Sequence, residues 1–459
     1  MWVSLVLALG AFSLPWFVTF EGLSPEGHRV FGIFLLAIVL WVSEAVPLHA
    51  TAALIILLEI LFVSDAAVLP LPDDSAVVDY REYYYALANP VLMLFLGGFF
   101  LANGAAKYNL DRNLARVLLR PFGTSPRMIL LGLMLITALF SMFMSNTATT
   151  ATLMAVVLPV VAGLDRSDRM RTGLALSIPI AANIGGIGTP VGTPPNAIAL
   201  GAMNQAGISL SFLQWMAMTI PCMLLTLLFA WVLLNRMFPC SRDRMEVNID
   251  STFDTSRDAW IFYTVFVATI LLWLTEPLHG VRSSIVGFVP VTVLLCTRVF
   301  SAQDLQQIQW HVLWLVGGGI ALGTGVSSSG LDTWLIGLIR WETLGAGVLT
   351  TVMCLVALVM GCVISHSATA NLLVPIGMSL ATSGAVALSP MMAGVYIAIG
   401  ASLAMALPIS TPPNAIAYST GMVQTRDMAK SGIVIGLTGL LLFVVLAPRL
   451  WNLFGLATP

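Results

Sequence analysis

Long apolar segments follow one another along almost the whole chain, and they constrain the fold more than any other feature. A span of about 20 apolar residues crosses the hydrocarbon core of a bilayer. Only 9% of the residues are charged, whereas soluble domains carry about 25%. The chain therefore cannot cover a soluble surface, and we predict an all-α, multi-pass membrane protein. The uninterrupted apolar segments run roughly over 1–20, 28–46, 50–64, 84–106, 170–203, 211–235, 259–275, 283–299, 310–328, 391–421 and 430–453.

Two further apolar blocks, roughly 126–164 and 345–385, are interrupted by polar residues in the middle. Each could be a kinked span or a hairpin that enters and leaves on one side. If both are hairpins, 15 of the 20 Lys and Arg residues fall on the same face, as the positive-inside rule requires of the cytoplasmic face. We therefore predict about eleven spans plus two re-entrant hairpins, with the N-terminus inside and the C-terminus outside.

The start of the chain and the acidic loop after the third segment bear on this topology. Residues 1–18 lack a basic start and a clear cleavage site, so we expect a first membrane helix rather than a signal peptide. Asp73 and Asp74 belong to an acidic loop that the topology places outside. We expect the protein in the inner (cytoplasmic) membrane of a bacterium. No basic stripe suggests a nucleic-acid partner.

The chain repeats itself at a separation of about 220 residues. The last repeated element matches at seven of eight positions. Several arginines follow the first copy of Leu-Asp, whereas only Arg340 and Glu342 follow the second, so we predict that the two copies face opposite sides of the membrane. Inverted repeats that meet near the midplane are typical of secondary transporters. The paired elements are 96–99 with 316–319, 109–111 with 330–332, 145–149 with 365–369, and 192–199 with 410–417.

Two of the paired elements contain prolines inside apolar segments, at 194–195 and 412–413. Proline has no backbone donor and cannot continue a regular helix. A break there exposes the N-terminus of the following half-helix, whose N–H groups suit an anion. The carbonyls that the break frees, together with hydroxyl and amide oxygens, suit Na+. In lipid, such a break is tolerated only where protein or a water-filled cavity surrounds it.

The polar interruptions at 145–147 and 365–367 would form the tips of the two hairpins, at the same depth as the breaks. None of the four elements contains Lys or Arg. They predict a neutral site in which a dicarboxylate and Na+ each raise the other's affinity. Taken singly, each element has a plain structural alternative, since Ser and Thr often hydrogen-bond between membrane helices and a Pro-Pro pair can mark a simple kink.

Other titratable residues give weaker signals. Glu44 precedes a proline and fits a helix end, while the role of Glu59 is open; either could relay protons. His311, like the histidines at 49 and 279, lies near a predicted span end. The five cysteines are scattered and fit apolar positions. An intramembrane enzyme based on His366 would lack an acidic partner, and no HExxH or GxSxG motif occurs; a channel or a purely structural protein is a further alternative.

With these motifs the chain resembles the divalent anion/sodium symporter family, which includes sodium-dicarboxylate and citrate transporters. The resemblance rests on Ser-Asn-Thr at 145–147, Ser-His-Ser at 365–367, both TPPNAIA runs and the glycine pairs at 97–98 and 317–318. It implies an elevator-type secondary transporter that moves C4-dicarboxylates (succinate, malate or fumarate-like) with Na+, and a homodimer. The expected scaffold covers 1–110 and 211–330, and the expected transport domain covers 111–210 and 331–459.

The resemblance also implies roles for individual residues. One cation site would use Ser141, Ser145, Asn146 and Gly192. A second would use Gly361, Ile364, His366 and Ser410. The substrate would contact Asn146, Thr147 and Thr193 at one end, and His366, Ser367, Thr411 and Pro412 at the other.

The chain departs from the family pattern at the second cation site. His366 stands where the family usually has Asn, and Gly361 stands where a hydroxyl is usual. The imidazole could bind a substrate carboxylate as a cation, replace one Na+ by a proton, or remain neutral and shape the tip. A sodium-independent or proton-coupled dicarboxylate exchanger and a sulfate carrier of the same family therefore stay open as alternative functions.

Overall fold

The computed structural model describes residues 2–72, 77–245, 247, 249, 251–338, 345–384, 386 and 388–453. Within these ranges the chain is helical and contains no β-strand, apart from an isolated bridge between Ser64 and Val78. Two short 3-10 helices cover Ala86–Ala88 and Arg120–Phe122. The α-helices are α1 Trp2–Phe17, α2 Pro25–Ser43, α3 Leu48–Phe62, α4 Tyr80–Tyr85, α5 Pro90–Lys107, α6 Leu110–Leu119, α7 Pro126–Phe143, α8 Asn146–Ala162, α9 Met170–Gly186, α10 Pro194–Gln205, α11 Phe212–Met237, α12 Arg257–Leu274, α13 Glu276–His279, α14 Ser283–Cys296, α15 Ala302–Gln306, α16 Trp310–Ser328, α17 Leu331–Gly337, α18 Ala346–Val363, α19 His366–Thr382, α20 Pro390–Ser402, α21 Pro412–Ser419 and α22 Thr425–Leu453.

Eight helical stretches in the described ranges are long and apolar enough to cross a membrane. They are α2, α4–α5, α7, α11, α12, α16, α18 and α22, and five shorter apolar helices accompany them. The predicted all-α, multi-pass architecture is confirmed, while the count of about eleven spans stays a prediction. The predicted topology drew on Asp73, Asp74, Arg340 and Glu342, which lie outside the described residues.

The block 126–164 folds as a hairpin of α7 and α8. At one end, the Met245 backbone N–H donates to the carbonyl of Thr124 at 2.8 Å. At the other end, Arg242 Nη2 lies 3.5 Å from Asp165 Oδ2. Both ends of the block therefore contact one short loop, whereas a continuous helix of this length would separate them by more than about 50 Å. The hairpin prediction is confirmed for this block.

The block 345–385 folds in the same way, as a hairpin of α18 and α19. Leu349 in the first turn of α18 and Leu380 near the end of α19 belong to one hydrophobic cluster. Farther towards the tip, a Cβ built at Gly377 would lie 2.6 Å from Met353 Cε. The two legs of the hairpin therefore run side by side, as predicted.

The two halves have opposite orientations. In the first half, α10 ends at Gln205, which lines a cavity with Ser379 at the base of the second hairpin. In the second half, Met422 follows α21, and its carbonyl accepts a hydrogen bond from Thr172 Oγ1 beside the base of the first hairpin. Each broken helix thus ends beside the base of the other half's hairpin, as an inverted repeat requires.

In both halves, the helix is interrupted before its second segment (α10 or α21), and an asparagine side chain donates hydrogen bonds to the carbonyls that the interruption leaves free. Asn196 Nδ2 donates to the carbonyls of Gly186 and Thr189 at 3.0 and 2.8 Å. Asn414 Nδ2 donates to two carbonyls of the second break, those of residues 405 and 407, at 3.0 and 2.9 Å. Both asparagines are buried. Because buried carbonyls need partners, these amides allow a helix to be interrupted inside the protein.

Close helix contacts hold the remaining elements together. α5 and α14 approach so closely that a Cβ at Gly97 would lie 1.9 Å from the carbonyl oxygen of Gly287, which is typical of membrane helices that pack through small residues. α16 packs along α3, and α11 packs along α22 and α9. The predicted boundary at residue 211 thus separates α11 from helices that it contacts extensively.

Candidate functional site

A central cavity of about 500 Å³ lies between the two halves. All four repeated polar elements reach it, two from each half. The structure therefore brings together residues that are separated by more than 200 positions in the sequence. Three predicted site residues, Ser141, Gly361 and Ile364, are not in its wall. The predicted site residues that line it are Ser145, Asn146, Thr147, Gly192, Thr193, His366, Ser367, Ser410, Thr411 and Pro412.

Six helices begin at this cavity: α3, α8, α10, α16, α19 and α21. The first turn of each helix presents backbone N–H groups and the positive end of the helix dipole. None of the described residues that line the cavity is Lys or Arg, and the titratable ones are Glu44, His311 and His366. The cavity can therefore favour an anion through oriented dipoles, without a fixed positive side chain.

The first hairpin tip collects oxygen atoms. Ser141 Oγ lies 2.5 Å from Asn146 Oδ1 and 2.8 Å from the carbonyl oxygen of Ala182. A point 2.6 Å from Asn146 Oδ1, where a Cβ at Gly186 would stand, is also only 3.1 Å from the carbonyl oxygen of Gly192. The single hydroxyl proton of Ser141 can satisfy only one of its two oxygen neighbours. This set of neutral oxygens fits a hard monovalent cation.

Ser145, at the same tip, caps a helix and hydrogen-bonds the other repeat. Its hydroxyl oxygen accepts the backbone N–H of Ala148 at 3.2 Å, which caps α8. It also accepts a hydrogen bond from Gln309 Nε2 at 2.9 Å. Gln309 precedes α16, so this bond joins the first hairpin to a helix of the other repeat.

The two Thr-Pro-Pro-Asn elements place equivalent threonines at the cavity but use them differently. Thr193 and Thr411 both have extended backbones before their half-helices. Thr411 Oγ1 accepts the backbone N–H of Asn414 at 3.3 Å and is also 3.3 Å from the amide Nδ2 of Asn183. Thr193 forms no such cap, so its hydroxyl is available to a ligand.

The second hairpin tip has a different set of contacts. His366 Nε2 lies 2.5 Å from the carbonyl oxygen of Ala404. Ser410 Oγ donates to the carbonyl of Cys362 at 2.9 Å and accepts the backbone N–H of Leu407 at 3.1 Å. The side chains that correspond to the oxygen cluster of the first tip therefore already have partners within the protein.

Some lining residues were not predicted from the sequence. Glu44, Gln309 and His311 line the cavity from the helices opposite the hairpins, and the His311 ring faces His49 at 6.2 Å. Asn183 is fully buried, and its Oδ1 has no hydrogen-bond partner among the described residues. The only sequence signal for Asn183 was an amide in an apolar segment, whereas nothing in the repeat pointed to the other three.

A larger cavity of about 630 Å³ lies farther along α10, α16 and α19, the helices whose first residues line the central cavity. It is lined by later turns of the same three helices, with polar residues such as Gln205, Thr324, Asp332 and Ser379. It contains none of the predicted site residues. We therefore assign the ligand site to the smaller cavity, where the two halves converge.

The fold and the cavity define a multi-pass α-helical membrane protein whose two inverted halves enclose a polar central site. Two solved transporter structures share this fold. The YdaH transporter of Alcanivorax borkumensis matches with a TM-score of 0.60 and 16% identity, over 92% of this chain and 98% of that one. MtrF of Neisseria gonorrhoeae, described within a class of antimetabolite efflux pumps, matches with a TM-score of 0.56 and 13% identity, over 91% and 97%.

The chain belongs to the family described as "Sodium:sulfate symporter transmembrane region", whose profile matches residues 1–457. It is 30% identical to the sodium-dependent dicarboxylate transporter SdcS of Staphylococcus saprophyticus, over 92% of this chain and 86% of that protein. The SdcS protein of Staphylococcus aureus strain USA300 is 29% identical, over 90% and 85%. The predicted family is thereby confirmed, and it is a family of transporters.

Proposed function

We propose that this protein carries C4-dicarboxylates together with Na+ across the bacterial cytoplasmic membrane. The observation that carries this proposal is the convergence of two hairpin tips and two broken helices, one pair from each inverted half, on one cavity without Lys or Arg among its described lining residues. A doubly charged acid bound there needs positive charge, and co-bound Na+ together with the helix dipoles provides it.

The arrangement of the cavity favours a substrate with two anionic ends. The first half offers the start of α8 and the hydroxyl of Thr193. The second half offers the start of α19, with Ser367, and the start of α21. Each end of a dicarboxylate can thus receive N–H and hydroxyl donors from one half. The names of the SdcS relatives agree with this substrate class.

The oxygen cluster at the first tip is the proposed Na+ site, formed by Ser141, Asn146 and the Gly192 carbonyl. Asn146 takes part in both sites, since it belongs to the oxygen cluster and also lines the substrate cavity. A bound cation would order this amide and attract the substrate carboxylate, and the substrate would raise the affinity for the cation by the same factor.

We further propose that the hairpins and broken helices move as an elevator against α16 within a homodimer. The two cavities at different levels along α10, α16 and α19 support this, because a shift of α10 and α19 along α16 could exchange access between them. Glycines ease this sliding contact: Gly319 and Gly323 face the side chains of Asn371 and Pro375 on α19. The extensive packing of α11 on α22 and α9 supports the proposal that α11 moves with these two helices, and not with the scaffold range 211–330 expected from the sequence.

Uptake of labelled succinate into proteoliposomes tests the function. We expect uptake to require an inward Na+ gradient and to be inhibited by excess malate or fumarate, with little inhibition by sulfate. Equal counterflow with and without Na+ would instead identify an exchanger. Acceleration by an inward proton gradient without Na+ would identify proton coupling, and strong inhibition by sulfate would identify a sulfate carrier.

A pair of threonine variants locates the activity in the cavity. Thr193→Val removes a hydroxyl that faces the cavity, whereas Thr264→Val changes an exposed threonine on α12 that bonds only its own helix. We expect the first variant to weaken succinate uptake and the second to retain it. Equal uptake by the two variants would contradict the assignment of the cavity.

A further inference from the structure

The two hairpin tips share a backbone plan, but their side chains differ where the first tip gathers oxygen. Relative to Ser145 and Ser365, Ser141 corresponds to Gly361 and Asn146 to His366. Relative to the Thr-Pro-Pro-Asn elements, Gly186 corresponds to Ala404. The hydroxyl and the amide oxygen of the first tip are therefore both missing from the second.

The imidazole of His366 fills the space that these oxygens leave. Its Nε2 lies 2.5 Å from the Ala404 carbonyl oxygen. Because a carbonyl can only accept, Nε2 carries a hydrogen and donates it. A Cβ built at Gly361 would lie 2.7 Å from the Ala404 methyl group, so this methyl stands where a serine side chain would begin. A ring and a methyl group therefore occupy the second tip.

The hydrogen bonds of the second helix break are shifted by one residue relative to the first, and this shift leaves the Ala404 carbonyl to accept from His366. In the first half, Asn196 Nδ2 bonds the carbonyl of Gly186. In the second half, Asn414 Nδ2 bonds the carbonyl of Met405 instead, one residue beyond the position equivalent to Gly186. The Ala404 carbonyl is thereby left without the amide of Asn414 and receives the imidazole.

The Ile364 carbonyl, an expected ligand of a second cation, is turned away, and the Ser410 hydroxyl is engaged within the protein. The ψ angle of Ile364 is −98°, whereas Met144 at the equivalent position has 162°, so the two carbonyls point in different directions. The Ser410 hydroxyl donates to Cys362 and accepts from Leu407. The residues present at the second tip do not fit a sodium ion.

We infer that the second tip binds no cation, and that the His366 N–H takes the place of a second coupling ion by holding the Ala404 carbonyl. The second half keeps its substrate contacts, and only the first half couples transport to Na+. This inference rests on the proposed function and specifies its stoichiometry. Of the three hypotheses raised by the sequence, it selects the imidazole that shapes the tip.

Sodium-dependent thermal stabilisation of the purified protein is the first test. NaCl, compared with choline chloride at equal concentration, should raise the Tm of the wild type in the presence of succinate. Asn146→Ala removes the amide of the first tip and should abolish the shift entirely. A sodium-dependent Tm shift that persists in Asn146→Ala would show a second cation site and overturn the inference.

A transplant of the first tip into the second provides the gain-of-function test. Gly361→Ser, His366→Asn and Ala404→Gly together copy the side chains of Ser141, Asn146 and Gly186. At a tenfold Na+ gradient and zero membrane potential, one additional coupled ion should raise the equilibrium accumulation of succinate about tenfold over the wild type. Accumulation equal to that of the wild type in an active triple variant would contradict the inference.

The two tests separate this inference from the proposed function. A wild type with neither a Tm shift in Na+ nor sodium-dependent uptake would overturn both. A wild type that shows both effects, with an Asn146→Ala variant that still responds to Na+, would leave the function standing and remove only the inference. If the triple variant does not fold, the Tm comparison of wild type and Asn146→Ala still decides.

Discussion

The two halves of the molecule share a framework but differ in the chemistry that they offer. In both halves a residue with a left-handed backbone precedes a short helix: Asn109 precedes α6, and Gly330 precedes α17. Both cap the hairpin with serine and close the helix break with asparagine. At the hairpin tips, however, one half presents a cluster of oxygens, which we propose binds the cation, and the other presents the N–H of His366. The inverted repeat thus preserves what a broken helix requires, while each half can change its ligands independently.

The largest expected effect concerns Asn146, which belongs to both the oxygen cluster at the first hairpin tip and the cavity wall. In Asn146→Ala, loss of contacts to two charged ligands, each worth about 1.5–3 kcal/mol, should lower kcat/KM for succinate by roughly 100-fold or more. Initial uptake rates in proteoliposomes over a range of Na+ concentrations measure this. His366→Gln, which keeps an N–H donor, should lose much less. Equal losses in the two variants would remove the distinction between the tips.

The framework asparagines should behave alike in the two halves. Asn196→Ala and Asn414→Ala each leave two buried carbonyls without an amide donor, and each should lower the free energy of unfolding by roughly 2–4 kcal/mol. Thermal unfolding in detergent measures the change, with Asn235→Ala on α11 as a control whose amide bonds a single carbonyl of its own helix. A large effect in only one half would show that the breaks are not equivalent.

The equivalent threonines should separate binding from stability. Thr193→Val should raise the KM for succinate by roughly tenfold, because it removes a hydroxyl that can contact a carboxylate. Thr411→Val removes a helix cap and should in addition lower the stability by about 1 kcal/mol. Uptake kinetics and thermal unfolding of both variants give the comparison. A stability loss in Thr193→Val alone would reverse the assignment.

The smallest expected effect concerns an ion pair between the end of α5 and the short helix α15. Lys107 Nζ lies 2.8 Å from Asp304 Oδ2, while the corresponding end of α16 has no charged residue. Burial alone would raise the pKa of Asp304, but hydrogen bonds from Lys107 and Ser301 outweigh it and the pKa is lowered. A lowered carboxyl pKa stabilises the fold above the unfolded value of about 4.

Asp304→Asn should therefore destabilise the protein by less than about 1 kcal/mol near neutral pH. The difference from the wild type should shrink as the pH falls below about 4, and it should vanish once the pH is below the lowered pKa of Asp304 in the folded state, where the carboxyl is protonated in both states. Thermal unfolding at a series of pH values measures this. A difference that grows on acidification would show that the sign of the linkage is wrong.

The sequence predicted those parts of the site that come from motifs repeated in both halves of the chain. The hairpins, the helix breaks and the convergence of residues near Asn146 and His366 followed from repeated polar motifs in apolar surroundings, because a polar break in lipid must be enclosed by protein. The different charges that follow the two copies of Leu-Asp predicted the opposite orientation of the halves. Individual ligand roles and the elevator motion stay predictions.

The sequence did not predict the wall opposite the hairpins. Gln309 and His311 lie at the start of an otherwise ordinary apolar helix, and only tertiary packing brings them to Ser145 and the cavity. His311 was correctly expected near a helix end, where a histidine usually meets the membrane surface. The one-residue shift that leaves the Ala404 carbonyl to accept from His366 could not be predicted from the sequence either, since it depends on backbone geometry within a helix break and not on residue type.

The six helix starts that surround the cavity have a consequence for how substrate arrives. The field of a helix terminus is strong at contact but falls off within about one turn, so the cavity attracts few anions from a distance. Electrostatic steering, which fixed charges provide and salt suppresses, is then weak. Encounter with the substrate should depend little on ionic strength at constant Na+, and selectivity arises only after the acid has entered and shed its water.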